Sequence, residues 1–260
     1  MPKLGNERRA PLIVLSAAVI LLLGIAVLLF RMDGDRPGGY SQYTYDSFTS
    51  EQGVILHLMK TSPANIELRS VQANVAETPY FGINGGFFYE GALLSIAVMN
   101  DQPVHSASGY GSGDANVKYA RGTLVWDAAA GLFQVQVVSQ MSELAVQDRK
   151  QYWAQGGISM SLGDDEGWRE QIEVEGMPFP DDKRLRTAAV FDEQGGLYLI
   201  VSENQATAAE FRQAIRQLSG ARHFVDGVFL DGDGSSQMKC TEVLLPGDRR
   251  EVVQMIRLLQ

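Results

Sequence analysis

Cysteine is almost missing from these 260 residues. The single Cys240 excludes an internal disulfide and reads as a buried thiol. Histidine is nearly as scarce: His57, His105 and His223 stand far apart, without the spacing of a structural zinc site. Basic charge is in deficit, with 22 Lys+Arg against 31 Asp+Glu and a net of −9. The deficit concentrates after residue 31, where 18 basic residues face 30 acidic ones, a net of −12. Such a surface argues against nucleic acid and against anionic membrane surfaces as partners. An anionic substrate must then be met by a local group of arginines or backbone N–H groups. There is no G-x-S-x-G elbow, no Walker A loop and no H-E-x-x-H. The glycines of "GYGSGD" have the wrong spacing for a dinucleotide fingerprint. No internal repeat or low-complexity tract is present.

One long apolar run is present. Leu12 to Phe30 is interrupted only by Ser16 and small residues. As a helix it spans roughly 28 Å, close to a bilayer's hydrocarbon core. Lys3, Arg8 and Arg9 precede it, which keeps the N-terminus cytoplasmic. The run ends in "LLFRMDGDRPGG", with neither an A-x-A cleavage pattern nor a lipid-acceptor cysteine, so an uncleaved signal-anchor is expected over a cleaved signal peptide. The expected organisation is a cytoplasmic N-terminus at 1–11, a transmembrane segment at 12–30, a polar linker at 31–45 and one extracytoplasmic domain at 46–260.

Within that domain, "GVILHLMKT" and "NIELRSVQA" predict strands, and "RGTLVWD" with "GLFQVQVVS" predicts a hairpin. "SELAVQDRKQYWA" predicts a helix from a moderate apolar face. Residues 164–185, polar and interrupted by proline, predict a long loop. "RTAAVFD" and "GLYLIVSE" predict a strand pair. Thr207 and Glu210 then form a capping box for a helix whose Phe211, Ile215 and Leu218 share one face, with Gly220 as its stop. "DGVFLD" and "REVVQMIRLL" predict the last strands. The expected fold class is α+β: a single domain on a mixed β-sheet with flanking helices.

Four glycine-rich or cationic stretches carry the chemistry. In "GVFLDGDGSSQM", Asp231 ends a strand that follows a helix, a usual place for site residues. Gly232 and Gly234 allow close backbone approach, Ser235 and Ser236 supply hydroxyls, and Asp233 adds a second acid. An acidic Asp-Gly turn is the plain alternative. Calcium is a third reading, although the remaining EF-hand ligands are missing. In "GINGGFF", Asn84 suits a left-handed turn that Gly85 and Gly86 permit, with Phe87 and Phe88 as anchors. In "KRLRTAAVF", Arg186 opens a strand with a fork suited to phosphate or carboxylate, while Lys183 and Arg184 read as solvated. In "WAQGGISMSLGD", Gly156 and Gly157 leave space for a ligand.

Taken in order, "INGGFF", "QGG", "RTAAVF" and "FLDGDGSSQM" resemble the phosphodiester glycosidase family over roughly residues 50–260. That family usually has D-G-G-G-S-S, and Asp233 stands here at a glycine position. The resemblance implies an exoplasmic hydrolase that cleaves the sugar C1–O–phosphate bond of a glycosyl phosphodiester. Asp231 becomes the expected catalytic carboxylate, activating water or attacking C1, and Asp233 a second one. Arg186 would hold the phosphate, Asn84 the sugar or phosphate, and the Gly232–Ser236 loop would supply donors. No cofactor is expected, with room left for a divalent cation near Asp231 and Asp233. The alternative expectation is a non-catalytic module that binds a phosphorylated glycan or envelope polymer.

Overall fold

The computed structural model describes residues 42–106 and 108–260, which fall in one compact unit, Tyr40–Gln260. The expected anchor at 12–30 lies outside the described residues. Among those described, no helix is long and apolar enough to cross a membrane. Tyr43 already opens a strand inside the stretch expected as linker.

The largest sheet has six strands, in the order Tyr43–Thr49, Ile55–Thr61, Leu197–Ser202, Thr187–Asp192, Phe224–Phe229, Ile158–Ser159. Its two central strands, "TAAVFD" and "LYLIVS", are buried throughout. Side chains alternate between the faces of a strand, so a sheet covered on both sides needs continuous apolar runs. Ala188, Val190 and Ile200 face a core shared with Phe211, Ile215 and Leu218 of the helix Ala208–Arg222. Ala189, Phe191, Leu199 and Val201 face a second core on the opposite side.

Two five-stranded sheets supply that second core. One runs Leu132–Val138, Arg121–Asp127, Tyr152–Gly156, Ala97–Met99, Gln102–Pro103 and contributes Leu124, Phe133 and Trp153. The other runs Leu244–Leu245, Met238–Lys239, Gly82–Asn84, Val252–Leu258, Ile66–Ala73 and contributes Ile66, Leu68, Ile83 and Ile256. Cys240 lies at its rim, where burial pushes the thiol up to about 11 and leaves it unreactive.

The α+β class and the sheet-rich single domain therefore stand, with corrections in detail. The strands divide among three sheets and a small ribbon, and every pairing between described strands is antiparallel. A parallel pair needs a long crossover, whereas most strands here follow one another through short turns. "SELAVQDRKQYWA" forms a single 3-10 turn at Met141–Glu143 and the strand Tyr152–Gly156. Trp153 and Ala154 pair with neighbours on both sides, and two ladders outweigh a weak helical face. The 164–185 loop contains the helix Trp168–Val174, which buries Ile172. The capping box forms as expected, with Glu210 N–H donating to Thr207 Oγ1 at 3.1 Å and Thr207 N–H to Glu210 Oε2 at 2.8 Å. The helix passes Gly220 and stops where His223 takes the left-handed conformation, φ 53°.

Candidate active site

A cleft of about 550 Å³ opens where the loop after Phe224–Phe229 meets the segments at 87–94, 118–121 and 176–187 and the side chain of Arg250. Asp231 sits at its floor. Its backbone is held on both sides: Asp231 N–H donates to Gly85 O at 3.2 Å, and Asp231 O accepts from Asn84 Nδ2 at 2.8 Å. The residue is partly covered, its open side turned to the cleft, while the carboxyl lies among protein atoms. Burial therefore pushes its pKa up to about 7, with a small addition from the charge of Asp233. The Ser235 hydroxyl, the Gly232 N–H at 3.1 Å and the charge of Arg250 pull the other way. Ser235 Oγ stops short of a full hydrogen bond and, like Ser236 Oγ, has no partner among the described residues.

Two arginines frame this carboxyl from the cleft wall. Arg186 is 5 % exposed, and donates from Nε to Ala206 O at 3.0 Å and from Nη2 to Phe179 O and Asp182 O, both at 2.8 Å. Arg121 is 8 % exposed, and donates from Nε to Glu175 O at 2.9 Å and from Nη2 to Gly176 O at 3.2 Å. Its guanidinium lies 4.9 Å from the Phe87 ring centre and 5.4 Å from that of Tyr119. Both guanidiniums bond to neutral carbonyls, and neither forms an ion pair among the described residues. Burial lowers both pKa values, that of Arg186 to about 10, so both remain cations at neutral pH. The Glu175 carboxylate acts on Arg121 through space and those of Asp182 and Asp233 act on Arg186, but no carboxylate among the described residues touches either guanidinium, so an anion entering the cleft can meet both.

Three of the four sequence stretches meet at Asn84, and the fourth, with Gly156, packs against Gly86. Its Oδ1 accepts from Thr187 Oγ1 and from Gln237 N–H, both at 3.0 Å, while its Nδ2 holds Asp231 O. Asn84 is 1 % exposed and does not line the cleft. It braces the acid from behind in extended backbone, so the left-handed turn expected of it is corrected. Its side-chain amide is fully engaged, which leaves nothing to offer a sugar.

The glycine pairs also lie behind the cleft, where the sheets approach each other too closely for a side chain. A Cβ on Gly85 would meet the Gln254 amide, on Gly86 the Ser95 side chain and Gly156 O, on Gly156 the Asn116 amide, and on Gly157 Phe229 O at 2.2 Å. Because that last obstacle is backbone, Gly157→Ala is expected to lower the melting temperature by roughly 10 °C or more, consistent with a steric cost of about 3 kcal/mol. An unchanged thermal transition in that variant would overturn the packing role. Gly232 lines the cleft, whereas Gly234 packs beneath the Asp248 carboxylate. Ser235 and Ser236 are buried in the 3-10 turn Asp233–Ser235 and its cap.

Asp233 lines the cleft mouth. It adopts φ 56°, a conformation that favours glycine and that Asp tolerates better than most residues. This geometry explains why a glycine-rich motif accepts Asp here. Its carboxylate accepts from Arg184 Nη1 at 2.8 Å, so Arg184 is paired rather than simply solvated. Among the described residues no group of three or more metal-ligating side chains gathers, at Asp231 and Asp233 or elsewhere.

Sequence reasoning missed Arg121, Arg250, Lys118 and the aromatic rim of Phe88, Tyr89, Tyr119 and Phe179. One signal was available for Arg121: like Arg186, it stands at the start of a largely buried strand. Nothing in the local sequence marks the aromatics, which come from three separate segments.

The fold and site thus define a cleft at the edge of antiparallel sheets that brings together one buried carboxyl and two buried guanidiniums. Residues 77–258, well over half of the chain, match the family model for phosphodiester glycosidase, and the chain belongs to that family. This membership supports hydrolysis of glycosyl phosphodiesters in general. Among solved structures, the chain is similar to the zebrafish N-acetylglucosamine-1-phosphodiester alpha-N-acetylglucosaminidase catalytic domain auto-inhibited by its pro-peptide. The TM-score is 0.60 at 14 % identity, covering 87 % of this chain and 85 % of that one. A hypothetical protein from Synechocystis matches with TM-score 0.51 and 14 % identity, over 83 % of this chain and 61 % of that one. At such identities the likeness concerns the fold. No curated protein matches the sequence closely enough to count as a relative.

Proposed function

We propose that this protein hydrolyses the sugar C1–O bond of a glycosyl phosphodiester, as the extracytoplasmic domain of a membrane-anchored chain. The observation that carries the reading is the pairing, in one cleft, of a carboxyl at about 7 with two buried arginines that have no acid partner. The anchor rests on the apolar run Leu12 to Phe30.

The phosphodiester monoanion satisfies Arg121 and Arg186, whose Nη1 groups make no hydrogen bond to a described residue. The same contacts strengthen as the C1–O bond breaks and charge collects on the departing phosphate. The leaving group is a phosphate monoester, a weakly basic anion, so no acid is needed to protonate it. One carboxylate then suffices at the sugar. Asp231, once ionised, takes a proton from the water that attacks C1, and the rim aromatics stack on the sugar face. N-acetylglucosamine phosphodiesters are the first substrates to try, by analogy with the name of the zebrafish enzyme.

The test incubates the full chain with the methyl phosphodiester of N-acetylglucosamine and follows free sugar. Release that is lost in Asp231→Asn supports the proposal. A folded protein that releases no sugar from any glycosyl phosphodiester would sink it.

A further inference from the structure

The rim of the cleft carries an imbalance that the hydrolytic reading does not use. Arg184 bridges two acids at once: Nη1 donates to Asp233 at 2.8 Å and Nη2 to Asp182 at 3.0 Å. Its guanidinium also lies over the Phe179 ring, 4.3 Å from the centre. One cation therefore answers two carboxylates, and the trio keeps one negative charge. That charge is not sealed away, because the Asp182 and Asp233 side chains are 55 % and 45 % exposed. Asp233 borders the same cleft as Asp231, Arg186 and Arg250, and its charge is felt by all three. Arg250 brings no surplus, since Asp248 already holds its Nε and Nη2. The inner cleft thus holds two guanidiniums without an ion-pair contact among the described residues, the Asp182–Arg184–Asp233 trio carries one net negative charge, and Lys118 brings one cation to a different segment of the lining.

We propose that Asp233 makes this cleft selective for monoanionic phosphodiesters over dianionic phosphomonoesters. The proposal rests on the reading of the cleft as a glycosyl phosphate site and adds the residue that sorts its substrates. A diester brings one negative charge to Arg121 and Arg186 and carries a neutral group past the mouth. A monoester near neutral pH brings a second charge that meets the Asp182–Arg184–Asp233 trio. Like charges brought together in a partly desolvated site are a strong basis for rejection. A glycine at position 233 would leave Arg184 with one acid and remove the surplus. This chain has instead placed an acid at a backbone position that disfavours side chains, at φ 56°.

The experiment compares the full chain with Asp233→Asn, which keeps the side-chain shape, tolerates the left-handed backbone and can still accept from Arg184. The substrates are N-acetylglucosamine-1-phosphate and its methyl diester, and the readout is the ratio of their kcat/KM values. At pH 8 the wild-type preference for the diester is expected to fall on the order of tenfold in the variant. At pH 5.5 the monoester takes up its second proton, whose pKa is about 6, and the wild-type preference is expected to shrink without mutation. Protonation of Asp231 lowers both rates at that pH and also removes a repulsive charge, an effect common to wild type and variant, so the pH arm is read as the difference between the two proteins. Arg184, Arg186 and Arg250, which face Asp233, stay charged throughout. A ratio unchanged in Asp233→Asn, or one whose pH dependence is the same in both proteins, overturns the proposal. A binding arm separates this reading from the hydrolytic one: dimethyl phosphate and methyl phosphate are titrated into both proteins by calorimetry. If sugar is never released but dimethyl phosphate is preferred, and the preference is lost in the variant, the charge filter stands and the hydrolase reading falls.

Discussion

Asp231→Asn is expected to reduce turnover of a glycosyl phosphodiester by 10³-fold or more while making the protein more stable at pH 8. The loss follows from removing the one carboxyl among the described cleft residues whose pKa is raised toward neutrality, because an amide cannot take the proton. The gain follows from linkage. The folded-state pKa of about 7 lies above the ordinary carboxyl value of 3.8. Between those two values the folded protein binds a proton that the unfolded chain has released, so stability falls as pH rises through this window. Above it the full cost is present. The open face of the cleft lets water moderate that cost, which we place at about 2 kcal/mol. The variant carries none of it and should melt higher at pH 8, with the difference vanishing toward pH 4. In the wild type, kcat/KM should rise with pH through a midpoint near 7, the limb set by ionising Asp231. Equal melting temperatures at pH 8, or a rate flat from pH 5 to 8, would show that the carboxyl does not hold its proton as described.

Arg186→Met is expected to lower kcat/KM by 10²- to 10³-fold, and here the structure supplies its own control. Arg186 performs two tasks: it presents an unpaired cation to the cleft and clasps the carbonyls of Phe179, Asp182 and Ala206. Loss of the clasp alone costs about 2 kcal/mol of stability. Arg212 is equally buried and clasps carbonyls in the same manner, donating to Met160 O at 2.9 Å, Ser161 O at 2.6 Å and Asp164 O at 3.0 Å. It does not line the cleft, and its charge is met by Asp165. Arg212→Met should therefore destabilise to a similar degree while leaving activity per folded molecule within a factor of about three. Comparable activity losses in the two variants would reduce Arg186 to a structural clasp. Arg186→Lys should recover little, because an ammonium cannot span three carbonyls and still face the phosphate.

How much of this was legible in the sequence depends on how local each signal is. The helix Ala208–Arg222 was readable because the capping box and the Phe211, Ile215, Leu218 spacing lie within one segment. The buried strands were readable from their unbroken apolar runs. Tyr152–Gly156 was misread because its partners, Arg121–Asp127 and Ala97–Met99, are distant in the chain, and pairing outranks intrinsic preference. In the site, Asp231 and Arg186 were found because each sits at the end of a recognisable strand. The roles of the glycines and Asn84 were not, since a glycine needed for a ligand and one needed for a neighbouring sheet look alike. Arg121 shares with Arg186 a place at the start of a buried strand, but its tie to Asp231, more than a hundred residues away, came only with folding into one cleft.

The position of Asn84 has a consequence for how such a protein can change over time. One side chain ties the strand of Asp231, the strand of Thr187 and the loop of Gln237 together from the rear. The cleft's outer surfaces, at 87–94, 118–121 and 176–186, contribute nothing to that knot. Apart from Arg121 and Arg186, those segments are free to lengthen, shorten or exchange residues while the acid keeps its place. The fold thereby separates inheritance of a reaction from inheritance of a preference: relatives with little sequence in common can keep the one and diverge in the other.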